Sequence, residues 1–337
     1  MNPVVSVIIL TFNSQDFIAR AVASVRRQTF RDIEIVVVDA GSVDQTKKIV
    51  SDFGGVVWLD LPKSDMGMAR NHGVKHSRGQ YVMFLDSDDF YLDHKVESQV
   101  AEMNACPELD VLYSPAYIYR TGATTVLGVK AATRKRLTLT DFLGGNCYTL
   151  ATICIRRTAW ERGLAFGEGE LGRYGEDWRF QLSVARKGVP FDLLDVPAVV
   201  VEIREGSHTT WEIQPKMKAL ALATAQDAMT AAQEQGITIV EGPAILDDYR
   251  FKLTLSLILV GRLAESRQVL CDMRSGPKAV AVRLMLALAT VLPSSWIRGL
   301  IQRAWIRRQN DSFKWTRPPE AIDRQISALT LHKLGSL

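Results

Sequence analysis

A cluster of carboxylates follows a short apolar segment of the chain. The segment Tyr81–Leu85 has the composition of a buried strand, and Asp86, Asp88 and Asp89 come directly after it. Carboxylates this close repel one another unless a cation or hydrogen-bond donors lie among them. Oxygen ligands suit Mg²⁺ or Mn²⁺, and Mg²⁺ is commonly shared between one or two carboxylates and the phosphates of a substrate. The sequence therefore predicts a metal–diphosphate site at the end of this strand.

Strand and helix patterns alternate through the part of the chain that leads to this acidic cluster, Asp86–Asp89. The predicted strands are Val4–Leu10, Ile33–Val38, Val56–Leu59 and Tyr81–Leu85. The predicted helices run from Asn13 or Ser14 to about Gln28, from the capping box Ser42–Gln45 through Val50, and over Met66–His76. Such alternation predicts an α/β fold with a mostly parallel sheet, whose ligands bind at the carboxyl ends of the strands. Thr11, Asn13 and Asp39 follow such ends, so we expect them to share one crevice with the acidic cluster.

The pattern changes after Asp110 and again after Thr210. The predicted strands between these points are Val111–Tyr119, Ile153–Arg156, Phe191–Leu194 and Val199–Ile203. The other predicted segments there are an exposed hairpin or loop at Arg120–Arg136, a flexible glycine-rich segment at Glu168–Gly175 and a helix at Glu176–Arg186. The predicted helices beyond Thr210 are Gln214–Gln235, Ala244–Met273 and Lys278–Val291. We therefore expect an α/β domain over residues 1–210 and an α-helical C-terminal extension over residues 211–337.

The composition excludes several classes of protein. The 337 residues are 47% apolar and 23% charged with a net charge of +4, which is typical of a folded globular protein and too weak a charge to indicate nucleic-acid binding. The four cysteines form no Cys-x-x-Cys pair and give no zinc or redox signal. No apolar stretch reaches the roughly 18 residues of a membrane span, and the N-terminus lacks a basic leader. These features predict a cytoplasmic protein, either free or peripheral on the inner face of the plasma membrane.

Six segments in a fixed order give the sequence a family resemblance. They are Val5–Asn13, Ser24–Thr29, Glu34–Ser42, Ala69–Gly73, Gly79–Tyr81 and Asp86–Asp89. At these spacings the series resembles the family-2 glycosyltransferases of the GT-A fold, over about residues 4–92 and more weakly to about residue 210. The resemblance implies a metal-dependent, inverting glycosyltransferase that uses Mn²⁺ or Mg²⁺. It would move a sugar from a nucleoside-diphosphate donor to a hydroxyl of a glycan or lipid-linked acceptor, in cell-surface polysaccharide or glycolipid synthesis.

The resemblance also implies roles for individual residues. Asp39 would contact the base of the nucleotide sugar, Asp86 the ribose, and Asp88 the metal that holds the diphosphate. Further contacts with the nucleotide sugar are expected from Thr11, Asn13, Asp65, Arg70 and Ser87. The family often has Pro and a second Asp where this chain has Leu10 and Ala40, so the base of the donor stays open.

Two of these residues have competing interpretations from their position alone. Asp39 is either a base-reading carboxylate or an ordinary loop or capping acid at a strand end. Arg70 either pairs with phosphate or with a carboxylate of the site, or lies on a solvated face of its helix.

The segment Glu176-Asp177-Trp178 resembles the acidic motif of the family and stands at a predicted helix start. Inverting transfer needs a base that removes the proton of the acceptor hydroxyl, and we assign this role to Asp177. Trp178, Leu182 and Ala185 share one helix face, which would anchor the helix and aim its first turn at the crevice. The alternative is an acid that only stabilises the helix N-terminus, and this is our interpretation of Glu176.

Two features near the C-terminal half are open to two interpretations each. Either His208 completes the metal shell or Arg204 takes the aligned position and contacts phosphate. The acid-free segment Ala279–Arg308 suits a helix lying on an anionic membrane surface, or a core helix whose arginines face water. The alternative to an enzyme is a catalytically degenerate nucleotide-binding scaffold at the membrane, which only Ala40 favours.

Overall fold

The structure is a computed structural model that describes residues 2–120, 128–130, 137–145, 147–203 and 212–291, together with Trp296 and Gly299. The described residues fall into two compact units. The first unit contains residues 2–120, 128–130, 137 and 147–203. The second contains residues 138–145 and 212–291 with Trp296 and Gly299.

The elements are numbered along the chain. The strands, all in the first unit, are β1 (Val5–Thr11), β2 (Ile33–Asp39), β3 (Val56–Asp60), β4 (Tyr81–Asp86), β5 (Phe90–Tyr91), β6 (Val111–Tyr113), β7 (Ala116–Arg120), β8 (Gly128–Lys130), β9 (Cys154–Arg156), β10 (Phe191–Leu193) and β11 (Val199–Ile203). The helices are α1 (Ile18–Arg26), α2 (Thr46–Asp52), α3 (Met66–Lys75), α4 (Lys95–Ala105), α5 (Leu139–Leu143), α6 (Arg157–Glu161), α7 (Glu170–Arg173), α8 (Glu176–Arg186), α9 (Gln214–Glu234), α10 (Gly242–Leu259), α11 (Leu263–Cys271) and α12 (Pro277–Ala289). A short 3-10 helix covers Leu150–Thr152.

A seven-stranded sheet with the strand order β10-β6-β9-β4-β1-β2-β3 forms the main sheet of the first unit. Strand β1 pairs in parallel with β2 and β4, and β2 pairs in parallel with β3. Strand β9 is antiparallel to both of its neighbours, β4 and β6. The predicted α/β fold with a mostly parallel sheet is therefore confirmed. All seven residues of β1 are buried, as expected of a central strand in such a sheet.

Helix α1 illustrates how the apolar spacing of the sequence forms the layer beside this sheet. Ile18, Ala21, Val22 and Val25 recur at helical spacing, and all are buried in one core with the strand residue Val7. Burying one Val or Ile side chain contributes about 1.5–3 kcal/mol relative to leaving it in water. This helix is therefore held against the sheet mainly by its apolar face.

A second, four-stranded sheet has the order β5-β11-β7-β8. The sequence predicted one strand over Val111–Tyr119, and this is wrong because β6 and β7 are separate and belong to different sheets. The break falls at Ser114-Pro115, where proline lacks the N–H needed to continue a ladder. Strand β8 pairs antiparallel with β7, which agrees with the hairpin alternative for the predicted exposed hairpin or loop at Arg120–Arg136. The strand itself is buried or half-buried instead of exposed, and residues 121–127 and 131–136 lie outside the described part.

The second unit is helical over its described residues, as predicted. One predicted helix, Ala244–Met273, is wrong because α10 and α11 replace it. The chain turns between them at Gly261, whose φ of 80° lies in the left-handed region that glycine adopts without a steric penalty. Within the described residues, no helix is both long and apolar enough to cross a lipid bilayer.

Candidate active site

The register of the central strands brings three predicted site residues to one edge of the sheet. Thr11 of β1 lies opposite Asp39 of β2, and Leu10 of β1 lies opposite Asp86 of β4. Adjacent strands are about 4.8 Å apart, so the three side chains span about two strand spacings. The hydroxyl oxygen of Thr11 is buried and has no hydrogen-bond partner within the described residues. Strand β1 thus ends at a buried hydroxyl that accepts or donates no hydrogen bond within the described residues.

Asp39 holds the loop that follows β2. One carboxylate oxygen accepts hydrogen bonds from the backbone N–H groups of Gly41 at 3.2 Å and Ser42 at 2.9 Å, and the other accepts from the Ser42 hydroxyl at 2.5 Å. Gly41 has a φ of 101°, which favours glycine at this turn. The loop-carboxylate interpretation of Asp39 therefore describes its bonds in the structure, and contact with a base stays a prediction.

Asn13 braces the same loop from β1. Its backbone N–H donates to the Ser42 hydroxyl at 2.8 Å, and its side-chain oxygen accepts from the N–H of Val43 at 2.9 Å. The predicted capping box at Ser42–Gln45 is wrong. Ser42 does not cap the helix because Asp39 and Asn13 engage it. Asp44 instead accepts hydrogen bonds from the N–H and the hydroxyl of Thr46, the first residue of α2, at 3.0 and 2.5 Å.

The residues after β4 differ in their exposure. The Asp86 side chain is 45% exposed, Asp88 is half-buried, and Ser87 is buried with its hydroxyl 2.8 Å from that of Ser14. Asp86 and Asp88 are thus the carboxylates of the acidic cluster that solvent or a ligand can reach.

Asp89 has a structural role. Its carboxyl is buried and accepts a hydrogen bond from the backbone N–H of Glu202 in β11 at 3.0 Å. Burial, together with the charges of Asp88 and Asp86, raises the pKa of the Asp89 carboxyl well above its ordinary value. The Asp89 carboxyl is therefore engaged with the neighbouring sheet, whereas Asp86 and Asp88 are partly exposed.

Among the described residues, the candidate donors for a metal are the carboxylates of Asp86 and Asp88. Within the described parts of the chain, no group of three or more His, Cys, Asp or Glu side chains is arranged to hold a metal ion. Asp86 and Asp88 nevertheless fit the arrangement in which Mg²⁺ takes one or two carboxylates and completes its shell with substrate phosphates. His208 and Arg204, the candidates for a further contact, lie outside the described residues.

Arg70 connects the two acidic regions of the site. Its guanidinium is buried and donates to Asp86 at 3.0 Å and to Glu176 at 2.6 Å, and it lies 5.5 Å from the ring centre of Phe166. Burial opposes the charge, but Asp86 and Glu176 outweigh this and raise the pKa of Arg70. Arg70 therefore pairs with carboxylates of the site, and its interpretation as part of a solvated helix face is wrong. We call Asp86, Arg70 and Glu176 the arginine bridge.

Helix α8 places Asp177 beside this bridge. Gly175, with a φ of 73°, turns the chain into the helix, and Glu176 and Asp177 form its first turn. Glu176 is buried and Asp177 half-buried, so the bridge takes the first carboxylate and leaves the second accessible. Burial raises the pKa of Glu176, and the guanidinium of Arg70 offsets this only in part. Of the predicted anchoring face, Trp178 and Leu182 are buried and Ala185 is half-buried.

The segment before α8 is anchored on α3. Asn71 donates to the carbonyl of Phe166 at 3.0 Å and to Glu168 at 2.8 Å, and it accepts from the Phe166 N–H at 3.0 Å. Asp65 caps α3 by accepting from Met68 N–H at 2.8 Å, and it also accepts from Gly169 N–H at 2.8 Å. The predicted flexible segment Glu168–Gly175 instead contains helix α7 and is tied down by these side chains.

Glycines allow this close approach. A Cβ on Gly172 would overlap the carboxylate of Asp65, and a Cβ on Gly67 would overlap the carbonyl oxygen of Gly167. Asp65 was predicted to contact the nucleotide. Its two oxygens hold the segment that leads to Asp177, and a nucleotide contact stays a prediction.

Two residues that sequence reasoning missed also support the site. Arg20 of α1 is buried, forms an ion pair with Glu202, donates to the backbone carbonyl of Asp88, and lies 4.7 Å from the ring centre of Phe90. Burial lowers the pKa of Lys130 in β8, and the charge of Asp177 nearby acts in the opposite direction. Only the placement of a charged residue among buried positions of α1 could have marked Arg20 in the sequence, and nothing marks Lys130.

Comparison with known proteins assigns a family to one part of the chain. The family model described as Glycosyl transferase family 2 matches residues 6–162. These residues belong to glycosyltransferase family 2. The family-2 segment contains β1 to β4, the acidic cluster and the arginine of the bridge, whereas Glu176 and Asp177 lie beyond it.

Several sequence relatives of the chain are described as glycosyltransferases. The uncharacterized glycosyltransferase EpsJ of Bacillus subtilis is 26% identical over 229 residues, covering 64% of this chain and 66% of EpsJ. An uncharacterized glycosyltransferase of Rickettsia typhi is 33% identical over 117 residues, covering 34% of this chain and 37% of that protein. The match therefore spans little more than a third of the length of the Rickettsia relative.

Solved structures show the same GT-A fold. Staphylococcus aureus TarS 1–349, solved in complex with UDP-GlcNAc, has a TM-score of 0.56 at 18% identity, covering 86% of this chain and 91% of that one. The mannosyltransferase PcManGT of Pyrobaculum calidifontis, solved with GDP-Man and Mn²⁺, has a TM-score of 0.54 at 15% identity, covering 99% of this chain and 88% of that one. At such identities the likeness extends to the fold alone.

Proposed function

We propose that the chain is a metal-dependent, inverting glycosyltransferase that moves a sugar from a nucleoside-diphosphate donor to a hydroxyl acceptor. The observation that carries this proposal is the arginine bridge, which joins the acidic end of β4 to the carboxylates at the start of α8. The ligands of the two structural neighbours, UDP-GlcNAc and GDP-Man, support a donor of this chemical class.

The donor would lie along the strand ends. Asp39 is proposed to contact the base and Asp86 the ribose, with further contacts from Thr11, Asn13, Asp65, Arg70 and Ser87. Asp88, with Asp86 beside it and His208 as a further candidate, would hold Mn²⁺ or Mg²⁺. When bound, such an ion neutralises the negative charge that grows on the departing diphosphate.

Asp177 is proposed as the catalytic base. Its carboxylate takes the proton of the acceptor hydroxyl while the hydroxyl oxygen forms a bond to the anomeric carbon. The bond from that carbon to the diphosphate oxygen breaks on the opposite face, so the configuration inverts. Glu176 takes no proton in this scheme, because its carboxylate is buried against Arg70 and acts by holding the first turn of α8 in place.

The acceptor is proposed to be a glycan or lipid-linked precursor of a cell-surface polysaccharide or glycolipid. An acceptor of this kind would be used in the cytoplasm or at the inner face of the plasma membrane. The alternative, a catalytically degenerate scaffold, would keep nucleotide binding and lack transfer.

Calorimetric titration tests the proposal most directly. The protein is titrated with UDP, GDP, CDP and dTDP, each with Mn²⁺ and with EDTA, and the titrations are repeated with Asp88→Ala. Asp32→Ala is the matched control, because Asp32 is exposed and precedes β2 instead of following it. We expect one nucleotide to bind with Mn²⁺, and we expect Asp88→Ala but not Asp32→Ala to abolish this binding.

Two results would contradict the proposal. Nucleotide binding that neither EDTA nor Asp88→Ala changes would exclude the metal–diphosphate site. Metal-dependent nucleotide binding without hydrolysis or transfer of any corresponding nucleotide sugar would favour the scaffold.

A further inference from the structure

Helix α12 has two apolar faces, and among the described residues only one of them is covered. Ala279, Val282 and Leu286 are buried, and the last two share a core with Ile258 and Leu259 of α10. Their spacing of three and four residues is that of one helix face. This face explains how α12 is held in the second unit.

The opposite face of α12 is exposed although it is equally apolar. Val280, Leu284 and Leu288 are 51%, 62% and 49% exposed, and Val291 just beyond the helix is 80% exposed. Residues four apart lie on one stripe of a helix, so the first three form a continuous surface. Single exposed apolar residues are ordinary on protein surfaces, whereas a contiguous apolar stripe marks a site of interaction. We call Val280, Leu284 and Leu288 the exposed α12 face.

The charged residues of the sequence segment that contains this face have one sign. The sequence from residue 273 to residue 310 contains no Asp or Glu, and its basic residues are Arg274, Lys278, Arg283, Arg298, Arg303, Arg307 and Arg308. Arg283 is exposed next to Leu284. Two of the basic residues are neutralised by α10, since Arg274 pairs with Asp247 at 2.6 Å and Lys278 with Asp248 at 2.7 Å. The remaining excess of positive charge adjoins the apolar stripe in the sequence.

We propose that the exposed α12 face docks on the surface of an anionic lipid bilayer, with its apolar side chains among the lipid chains and Arg283 at the headgroups. A helix with an exposed apolar stripe and cationic flanks has the composition of an interfacial helix. Trp296, which is 70% exposed, adds an aromatic side chain of the type found at headgroup level. Attraction to anionic lipid adds to apolar insertion for each basic residue near the surface.

The charge pattern favours a bilayer over a second copy of this chain. A symmetric dimer through the exposed α12 face would place the same patch of both copies together and bring the two copies of Arg283 near each other. Like charges in an interface oppose association. An anionic bilayer instead complements the positive charge and covers the apolar stripe at the same time.

Vesicle flotation with the full chain tests this proposal, independently of any transfer activity. The vesicles contain phosphatidylcholine alone or phosphatidylcholine with phosphatidylglycerol. The variants are Leu284→Asp, the milder Val280→Asn, Arg283→Gln, and the control Val240→Asp. Val240 is 82% exposed in the same unit but lies outside α12. The control therefore adds one negative charge at an exposed apolar position, as Leu284→Asp does, without altering the exposed α12 face. Thermal unfolding of each variant checks that the fold is retained.

We expect the chain to float with the anionic vesicles and much less with the neutral ones. Leu284→Asp should weaken flotation roughly tenfold or more, because it replaces an inserted leucine by a charge. Val280→Asn and Arg283→Gln should weaken it less, and Val240→Asp should float like the parent chain. High salt should release the protein, since the attraction to the headgroups is screened.

Three results would overturn the proposal. One is equal flotation of the parent and of both Leu284→Asp and Val280→Asn. Another is equal binding to neutral and anionic vesicles. The third is a concentration-dependent dimer in analytical ultracentrifugation that Leu284→Asp abolishes, with no flotation of the parent, because this would assign the face to a second copy of the chain.

Discussion

Arg70 donates a hydrogen bond to Glu176 at 2.6 Å although the two residues are 106 positions apart in the sequence. The Glu176 side chain is 6% exposed and the Arg70 side chain 2%, so neither charge is solvated by water. Glu176 depends on Arg70, because an isolated buried charge is far more costly than a buried pair. This pair fixes the first turn of α8, and with it Asp177, relative to the end of β4.

Replacing Arg70 by methionine should destabilise the first unit strongly. We expect Arg70→Met to lower the free energy of unfolding by about 3–5 kcal/mol, because Glu176 would stay buried without a partner. Adding Glu176→Gln should recover part of the loss. Urea denaturation measures both changes. The control is Arg78→Met, since the Arg78 side chain is 66% exposed and its ion pair with Glu34 is 3.6 Å long; an equal loss in this control would contradict a special role of the buried pair.

Asp177→Asn should separate binding from transfer. The amide keeps the shape of the side chain but cannot accept the proton of the acceptor hydroxyl, so we expect the transfer rate to fall about 10²–10⁴-fold. Binding of the nucleotide measured by calorimetry should stay within about twofold, because the side chain is assigned to the acceptor. Glu161→Gln on the exposed face of α6 is the control. An Asp177→Asn variant that transfers sugar at the parental rate would exclude Asp177 as the base.

Lys95 should make the stability of the fold depend on pH. Its ammonium is buried, lies 4.3 Å from the ring centre of Tyr91, 3.2 Å from the Met83 sulfur and 3.4 Å from the Ile153 carbonyl, and has the Cys154 thiol nearby. Burial lowers the pKa of Lys95 from 10.5 to about 7. Between these values the unfolded chain binds the proton and the folded chain does not. The free energy of unfolding should therefore rise with pH across this window, by up to about 1.4 kcal/mol per pH unit.

Lys95→Met isolates this effect. The variant should lose the part of the pH dependence between pH 7 and about 10.5 that Lys95 causes, and it should be more stable than the parent at pH 7 by roughly 2–4 kcal/mol. Chemical denaturation at several pH values compares the parent, Lys95→Met and the control Lys75→Met, whose lysine is exposed. Parallel curves for the parent and Lys95→Met would show that the buried amine stays charged.

Gly172→Ala should disturb the segment that leads to α8. The added Cβ would overlap the Asp65 carboxylate, which caps α3 and holds Gly169. We expect a loss of about 1–3 kcal/mol in the free energy of unfolding, the usual cost of overpacking a close contact, together with a lower transfer rate. Gly276→Ala is the control, since nothing lies within 4 Å of its added Cβ. A fully stable and active Gly172→Ala would mean that α3 and α7 can separate without effect.

The strands and their acidic ends could be predicted because they depend on local patterns. The apolar segment Tyr81–Leu85 and the aspartates after it carry their own signal, and strand β4 with its half-exposed Asp86 confirms the arrangement. The break at Ser114-Pro115 also has a local cause, but an apolar segment on both sides concealed it. Patterns of this kind determine where a strand ends and not which sheet it joins.

The supporting contacts could not be predicted because both partners are distant in the sequence. Arg20 and Glu202 are 182 positions apart, and each alone resembles an ordinary surface charge. The different environments of Asp88 and Asp89 depend in the same way on β11, whose backbone binds Asp89. The spacing of Ser42 predicts a helix cap, whereas in the structure Ser42 forms hydrogen bonds with both Asp39 and Asn13 instead.

Strand β11 has a consequence for any shortened form of the protein. It lies between β5 and β7 in the four-stranded sheet, and it contributes Glu202 to the buried pair with Arg20. A fragment cut at residue 162, where the family match ends, would lack β11 and α8. The edges of β5 and β7 that pair with β11 would then be unpaired, and the buried guanidinium of Arg20 would lose its ion pair with Glu202. We therefore expect the smallest piece of this chain that folds by itself to extend at least to Ile203, beyond the end of the family match.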